Sequence, residues 1–174
     1  MPTLVTTAGS ATANSFASLT DFETYCDARL NASAWSDASE SDQSRALIEA
    51  TRDLNLLAYI GYPVTTTQAL QWPRVNAIDP DQVWMVYFGT STIPQRTINA
   101  TCELALQYLK AGTEDVAALD PTLNVIEETV DVITTRYAAP ALRVRGLRRY
   151  PRVWSYIAPL LSSPSSVTVP VLRG

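Results

Sequence analysis

Three stretches of the chain carry apolar residues at every third or fourth position, which is the spacing of an amphipathic helix. The first two stretches follow Ser18 and Ser39, and each serine is followed three positions later by an aspartate, a pattern typical of helix N-termini. Gly61 should end the second helix, and Pro94 suits the first turn of the third. We therefore predict helices at roughly 19–30, 40–60 and 94–111.

Two shorter elements are expected after the third helix. Residues 125–137 contain eight β-branched residues in thirteen, which favours a β segment, although the apolar residues of this stretch could also line one face of a helix. A short helix should begin near Pro151, a residue that is well tolerated in a first helical turn. Its inward face would carry Val153, Trp154, Ile157 and either Leu160 or Leu161.

The two ends of the chain differ in composition from the middle. Residues 1–15 are mostly small and uncharged, so they should form a flexible N-terminal arm. Residues 163–174 should form an extended C-terminal arm, and the chain of 174 residues suits one domain, here residues 16–162. The predicted fold is mainly α: a small bundle of three to four helices with a short β hairpin or strand insert and extended N- and C-terminal arms.

An uncharged, aromatic-rich run of strand length extends from Val83 to Phe88, bounded by Asp79-Pro80 and Gly89. A run of this kind is either a core strand or a contact between protomers, since it would otherwise promote aggregation. As a protomer interface it would use Val83, Trp84, Met85, Tyr87 and Phe88. Trp72 precedes Pro73 in an extended connection, and anchoring of that loop is favoured over stacking on a ligand.

The charges are unevenly distributed along the chain. Residues 1–142 hold 17 acidic and 7 basic residues, a net charge of −10, whereas residues 143–174 hold 6 arginines and no acid, a net charge of +6. Arginine pairs bidentately with carboxylate or phosphate, so the cluster could face DNA or an acidic partner ring, or could only balance the acidic part of the same chain. The cluster consists of Arg143, Arg145, Arg148, Arg149 and Arg152.

The C-terminal arm has the features of a docking segment. Its alternating valines suit the addition of a strand to the sheet edge of another chain, while Pro170 argues against a central strand. The residues of this docking arm are Val167, Val169, Val171, Leu172 and Arg173.

The chain lacks the residues on which most catalysis depends. It has no histidine, and its six glycines are not spaced as in a phosphate-binding loop, so we expect no catalytic site, no cofactor and no metal. Glu127 and Glu128 would point to opposite faces of a strand and should be solvated. Cys26 and Cys102 are expected to be small buried hydrophobes.

No stretch of the chain approaches the length of a membrane span, and the N-terminus does not resemble a signal peptide. We therefore expect a protein made in the cytoplasm without a membrane partner. Tyr150 and Trp154 among the arginines would suit stacking on single-stranded DNA, but a pI near 4.8 argues against a dedicated nucleic-acid binder.

Five segments spread over residues 13–161 carry a resemblance to a known family. They are ANSFASLTDFETYCDARL, Trp35 with the SDASESDQSRALIEATRDLN that follows, QALQWPRV, TIPQRTINATCELALQYL, and RYPRVWSYIAPLL. The most specific part is QALQWPR followed by IP and an alanine-rich helix. In these segments the chain resembles the head-to-tail connector family of tailed phages, also called adaptor or head-completion proteins. Some of its members are described as DnaT-like single-stranded DNA-binding proteins.

This resemblance implies small, mainly helical subunits that assemble, typically with twelve-fold symmetry, beneath the portal and extend the DNA channel. The implied partners are further copies of the chain, the portal protein, tail or nozzle proteins, and genomic DNA passing without sequence specificity. The implied location is the neck of the virion. The chain departs from the family pattern in the VWMVYF run and in the arm beyond APLL. A single-stranded DNA-binding accessory protein of replication remains the alternative.

Overall fold

The computed structural model describes residues 2–111, 127–130, 133–136 and 146–162. Within these residues the fold is mainly helical with short antiparallel strand pairs, which confirms the predicted fold class. The helices are α1 (Leu19–Asp27), α2 (Ser33–Ser36), α3 (Glu40–Asn55), α4 (Gln95–Ala111) and α5 (Pro151–Ile157). The strands are β1 (Tyr62–Pro63), β2 (Arg74–Val75), β3 (Glu127–Val130) and β4 (Ile133–Arg136). Short 3₁₀ turns at Gly146–Arg149 and Ala158–Leu160 flank α5.

Both predicted serine caps are present. Ser18 Oγ accepts a hydrogen bond from the Asp21 amide at 3.1 Å, and Asp21 Oδ2 accepts one from the Ser18 amide at 2.8 Å, which completes a capping box. Ser39 Oγ accepts a hydrogen bond from the Asp42 amide at 3.2 Å at the start of α3. These contacts satisfy amide groups that the first turn of a helix leaves without partners.

Replacing Ser39 by alanine should lower the free energy of unfolding by about 1 kcal/mol, because the first turn of α3 then loses its side-chain acceptor. Urea denaturation followed by circular dichroism measures this change. Ser39→Thr is the matched control, since threonine also caps helices and keeps the hydroxyl that donates to Asp42 Oδ2 at 2.7 Å, so it should lose much less stability. Equal losses in the two variants would contradict a capping role.

The second helix ends earlier than the sequence predicts. α3 stops at Asn55, and Tyr59 then turns back so that its hydroxyl donates to the Leu54 carbonyl oxygen at 2.8 Å. Gly61 lies beyond the helix, immediately before β1, with φ of 71°. A Cβ at this position would lie 2.3 Å from the Val75 carbonyl oxygen, so the glycine permits close approach of β2.

The helix α4 forms the centre of the molecule and packs against both α3 and α5. Every residue from 100 to 106 is buried, so this helix is covered on all sides, as expected for a central element. Cys26 and Cys102 are both free and buried, as predicted, and burial raises the pKa of the Cys26 thiol to about 11.

The N-terminal segment is packed against the body, in place of the predicted flexible arm. The Val5 amide donates to Asn14 Oδ1 at 2.8 Å, and Asn14 Nδ2 donates to the Thr3 carbonyl oxygen at 2.8 Å. The Ala69 amide donates to the Ser10 carbonyl oxygen at 3.1 Å, which attaches the segment to the connection between β1 and β2. Hydrogen bonds therefore hold residues that have too few apolar groups to pack by burial alone.

Helix α5 and the 3₁₀ turn that follows it contribute side chains to the core. Helix α5 begins at Pro151, as predicted, and three of its predicted inward residues, Val153, Ile157 and Leu160, are fully buried, whereas Trp154 is half-buried. The predicted β segment forms the antiparallel β3–β4 hairpin, in which the backbone positions of Glu127 and Arg136 lie opposite each other.

Candidate interaction surfaces

The QWPR segment anchors the connection between β1 and β2 inside the core. Trp72 is fully buried, and its ring meets the rings of Tyr59 and Phe88 edge-on, with centroids 5.7 and 5.5 Å away. Aromatic pairs of this geometry add to the stabilisation from burial. The predicted anchoring role of Trp72 is confirmed, because a ring without exposed surface cannot stack on a ligand.

Arg74 holds the same segment through its guanidinium, a role that no pattern in the sequence predicts. It donates to the carbonyl oxygens of Ile60 and Gly61, both at 2.7 Å, and to the carbonyl oxygen of Gln71 at 3.1 Å. Only 6% of the residue is exposed, and burial lowers the pKa of its guanidinium. The arginine is therefore structural and is not available to an external anion.

The predicted protomer-interface residues lie on a surface loop, residues 79–88, which we call the aromatic loop. The side chains of four of them are open to solvent, so the alternative of a core strand is wrong. Phe88 differs, because it is half-buried and its ring packs on Trp72. The exposed fractions are 94% for Val83, 82% for Trp84, 73% for Met85 and 51% for Tyr87.

Hydrogen bonds brace the aromatic loop at its base. The Asp79 amide donates to the Val86 carbonyl oxygen at 2.8 Å, and the Phe88 amide donates to the Ala77 carbonyl oxygen at 2.9 Å. The Asp81 carboxylate forms a bidentate ion pair with Arg96 of α4, in which Arg96 Nε lies 2.7 Å from Asp81 Oδ2. Hydrogen bonding to Arg96 lowers the pKa of Asp81. The loop is therefore presented in a defined shape.

The arginine cluster is only partly within the described residues. Arg143 and Arg145 lie outside them, as do all residues of the predicted docking arm, 163–174. Arg148 is exposed on the 3₁₀ turn, and its guanidinium carbon lies 4.7 Å from the centroid of the Trp154 ring. Arg152 is exposed on the first turn of α5. We call residues 146–157 the arginine segment; it contains three arginines and no acid.

Glu103 is a buried carboxylate whose oxygens are fully engaged. Glu103 Oε1 accepts from Arg29 Nη2 at 2.8 Å and from Gln107 Nε2 at 2.9 Å, while Oε2 accepts from the Tyr25 hydroxyl at 2.7 Å. Burial, reinforced by Glu103, raises the pKa of Tyr25. A carboxylate held in this way links α1 to α4 and has no approach for a substrate.

Other features of the described residues offer little for chemistry. They contain no group of three or more side chains able to hold a metal ion. An open cleft of about 280 Å³ between Pro63 and Gln71 is lined without a charged side chain. No described helix is both long and apolar enough to cross a membrane.

The whole chain matches the model of a known protein family. A family model described as "Putative DnaT-like ssDNA binding protein" matches the chain over residues 1–174. No curated protein and no solved structure matches the chain. The match covers the aromatic loop and the arginine segment along with the helical core, so both surfaces lie inside the family region.

Proposed function

The chain belongs to the DnaT-like ssDNA-binding family, and we propose that it serves there as a structural subunit of a phage virion, a head-to-tail adaptor. In this role copies of the chain form a ring on the portal protein, and the resemblance to phage connectors implies that the ring is dodecameric. The ring extends the DNA channel and gives the tail or nozzle proteins their attachment surface. Its place is the neck of the virion, after assembly in the host cytoplasm.

The observation that carries this proposal is the aromatic loop. Val83, Trp84 and Met85 are consecutive, and each exposes more than two thirds of its surface. Proteins that work as monomers rarely present such a group of large apolar side chains to water, so a protein contact that covers it is the simplest explanation. The bracing by Asp81 and Arg96 supports this, because a preorganised loop loses less entropy when it binds.

A closed ring would give this contact its strength. Each subunit of a ring uses two different patches, one toward each neighbour. The ring closes when the rotation from one subunit to the next divides a full turn into a whole number of steps. Many weak attachments to the portal then act together and hold far more firmly than any single one. DNA would pass through the lumen without sequence-specific contacts, and no energy source or cofactor is required.

Binding of single-stranded DNA by the isolated chain is the second candidate, favoured by the family description and by the stacked Arg148–Trp154 pair. An arginine on an aromatic ring is a common platform for bases. The overall composition opposes this function, since a pI near 4.8 implies repulsion of polyanions by most of the surface.

Native mass spectrometry of the chain, alone and mixed with its portal protein, tests the adaptor function. We expect several copies of the chain on each portal ring, and a chain that never joins the portal would overturn the proposal. Fluorescence anisotropy with labelled single-stranded DNA over a salt series tests the second candidate. A dedicated binder would show tight binding with a steep salt dependence, whereas we expect weak binding.

A further inference from the structure

We propose that the aromatic loop of one copy docks on the arginine segment of a second copy. This contact rests on the ring-forming role proposed above and specifies which surface receives the loop. The two partners in the contact are different patches of the same chain, so the association is head-to-tail.

The positions of the two surfaces favour contact between copies over contact within one. The aromatic loop is tied to the N-terminal end of α4, where Arg96 pairs with Asp81. The arginine segment begins at the C-terminal end of α4, where the Tyr150 ring meets the Tyr108 ring edge-on with centroids 6.5 Å apart, and α5 then packs along α4. Arg96 and Tyr108 are separated by about 18 Å along the helix. The start of the segment, with Arg148, is therefore separated along α4 from the anchor of the loop.

The chemistry of the two surfaces is complementary. The loop exposes Trp84 and Tyr87, and arginine side chains bind the faces of such rings. Arg148 already lies over one ring, Trp154, and is itself exposed, so a second ring from a neighbour could pack against the same guanidinium. Arg152 is exposed on the adjoining turn.

The charges also distinguish this contact from its symmetric alternative. The aromatic loop contains two acids and no base, and Asp79 is the one that is not already paired with Arg96, whereas the arginine segment contains three arginines and no acid. A loop-to-loop contact would bring the acids of two copies together, and a contact between two arginine segments would bring their arginines together. The head-to-tail arrangement pairs opposite charges and allows an open series or a ring to grow.

Two variants, each lacking one half of the contact, provide the test. The loop variant carries Trp84→Ser with Met85→Ser, and the segment variant carries Arg148→Glu with Arg152→Glu. Leu56→Ser and Arg52→Glu are the matched controls, because Leu56 is 85% exposed and the Arg52 side chain is 67% exposed on other parts of the surface. Sedimentation velocity over a range of concentrations measures self-association, and circular dichroism checks that each variant is folded.

We expect the natural chain and both controls to form a series of oligomers, and each contact variant to associate at least about tenfold more weakly. A mixture of the two contact variants should form dimers and nothing larger, since each pair of chains retains one intact contact. A natural chain that stays monomeric would overturn the inference. Oligomers that survive both variants, or that only the loop variant abolishes, would overturn it as well.

The number of copies of each variant that bind the portal protein distinguishes a failure of this inference from a failure of the adaptor function. If both contact variants join the portal in the same number of copies as the natural chain, the head-to-tail contact is wrong and the adaptor function stands. If the natural chain does not join the portal, the adaptor function is wrong, and the mixing experiment still decides whether the loop meets the arginine segment.

Discussion

Replacing Trp72 by alanine should lower the free energy of unfolding by about 3–5 kcal/mol, one of the largest losses that a single substitution can cause in this chain. The ring is fully buried between Tyr59 and Phe88, and its removal leaves a cavity between them that the surrounding side chains would have to fill. Domains of this size are stable by about 5–15 kcal/mol, so the variant should be near the limit of folding.

Trp84 provides the matched control, because it is the same residue type in an exposed position. Trp84→Ala should change the free energy of unfolding by no more than about 0.5 kcal/mol. Urea denaturation followed by circular dichroism compares the two variants without relying on tryptophan fluorescence. Similar losses in both would show that the aromatic loop belongs to the folded core and would remove the main support for a protein contact there.

The two tryptophans show what the sequence can and cannot predict. Trp72 stands in a connection rich in polar residues and beside a proline, which indicates local anchoring. Trp84 stands in a short apolar run, and such a run looks the same whether it is a buried strand or an exposed contact. Only the fold shows that the chain turns at Asp79 and Phe88 and leaves the residues between them outside.

The helices could be predicted because their signals are local. Apolar spacing and serine caps located α1, the start of α3 and most of α4. The end of α3 could not be located in this way, since it depends on the Tyr59 hydroxyl reaching back to the Leu54 carbonyl oxygen. The packing of the N-terminal segment could not be predicted for a similar reason, because Asn14 holds it through hydrogen bonds to residues about ten positions away.

The sequence predicts which residues form the two candidate surfaces. It does not predict where the two surfaces lie relative to each other in the fold. The composition indicates an aromatic run and an arginine cluster, and the structure describes only the second half of that cluster. Their separation along α4 depends on the packing of α4 against the segment that carries Tyr150, a contact between distant parts of the chain. The role of Arg74 could not be predicted, because the carbonyl groups that it binds come close to its guanidinium only in the folded chain.

Replacing Glu103 by alanine should lower the free energy of unfolding by about 3–5 kcal/mol, because it leaves a mostly buried guanidinium without its counter-charge. The Glu103 side chain is 3% exposed and that of Arg29 is 18% exposed, so water can replace the lost carboxylate only in part. The Tyr25 hydroxyl would also lose its acceptor. Urea denaturation measures the loss, and Glu49→Ala, which removes the partner of exposed Arg52, should cost no more than about 1 kcal/mol.

A double variant then separates the value of the ion pair from the cost of breaking it. Arg29→Leu with Glu103→Leu removes both charges and fills part of the space with apolar atoms, which is often far less harmful than removing one charge alone. We expect the double variant to be more stable than Glu103→Ala, with some loss remaining because Tyr25 and Gln107 still lack an acceptor. A double variant as unstable as the single one would mean that the hydrogen bonds to Glu103 hold α1 against α4 and that the charge of Arg29 contributes little.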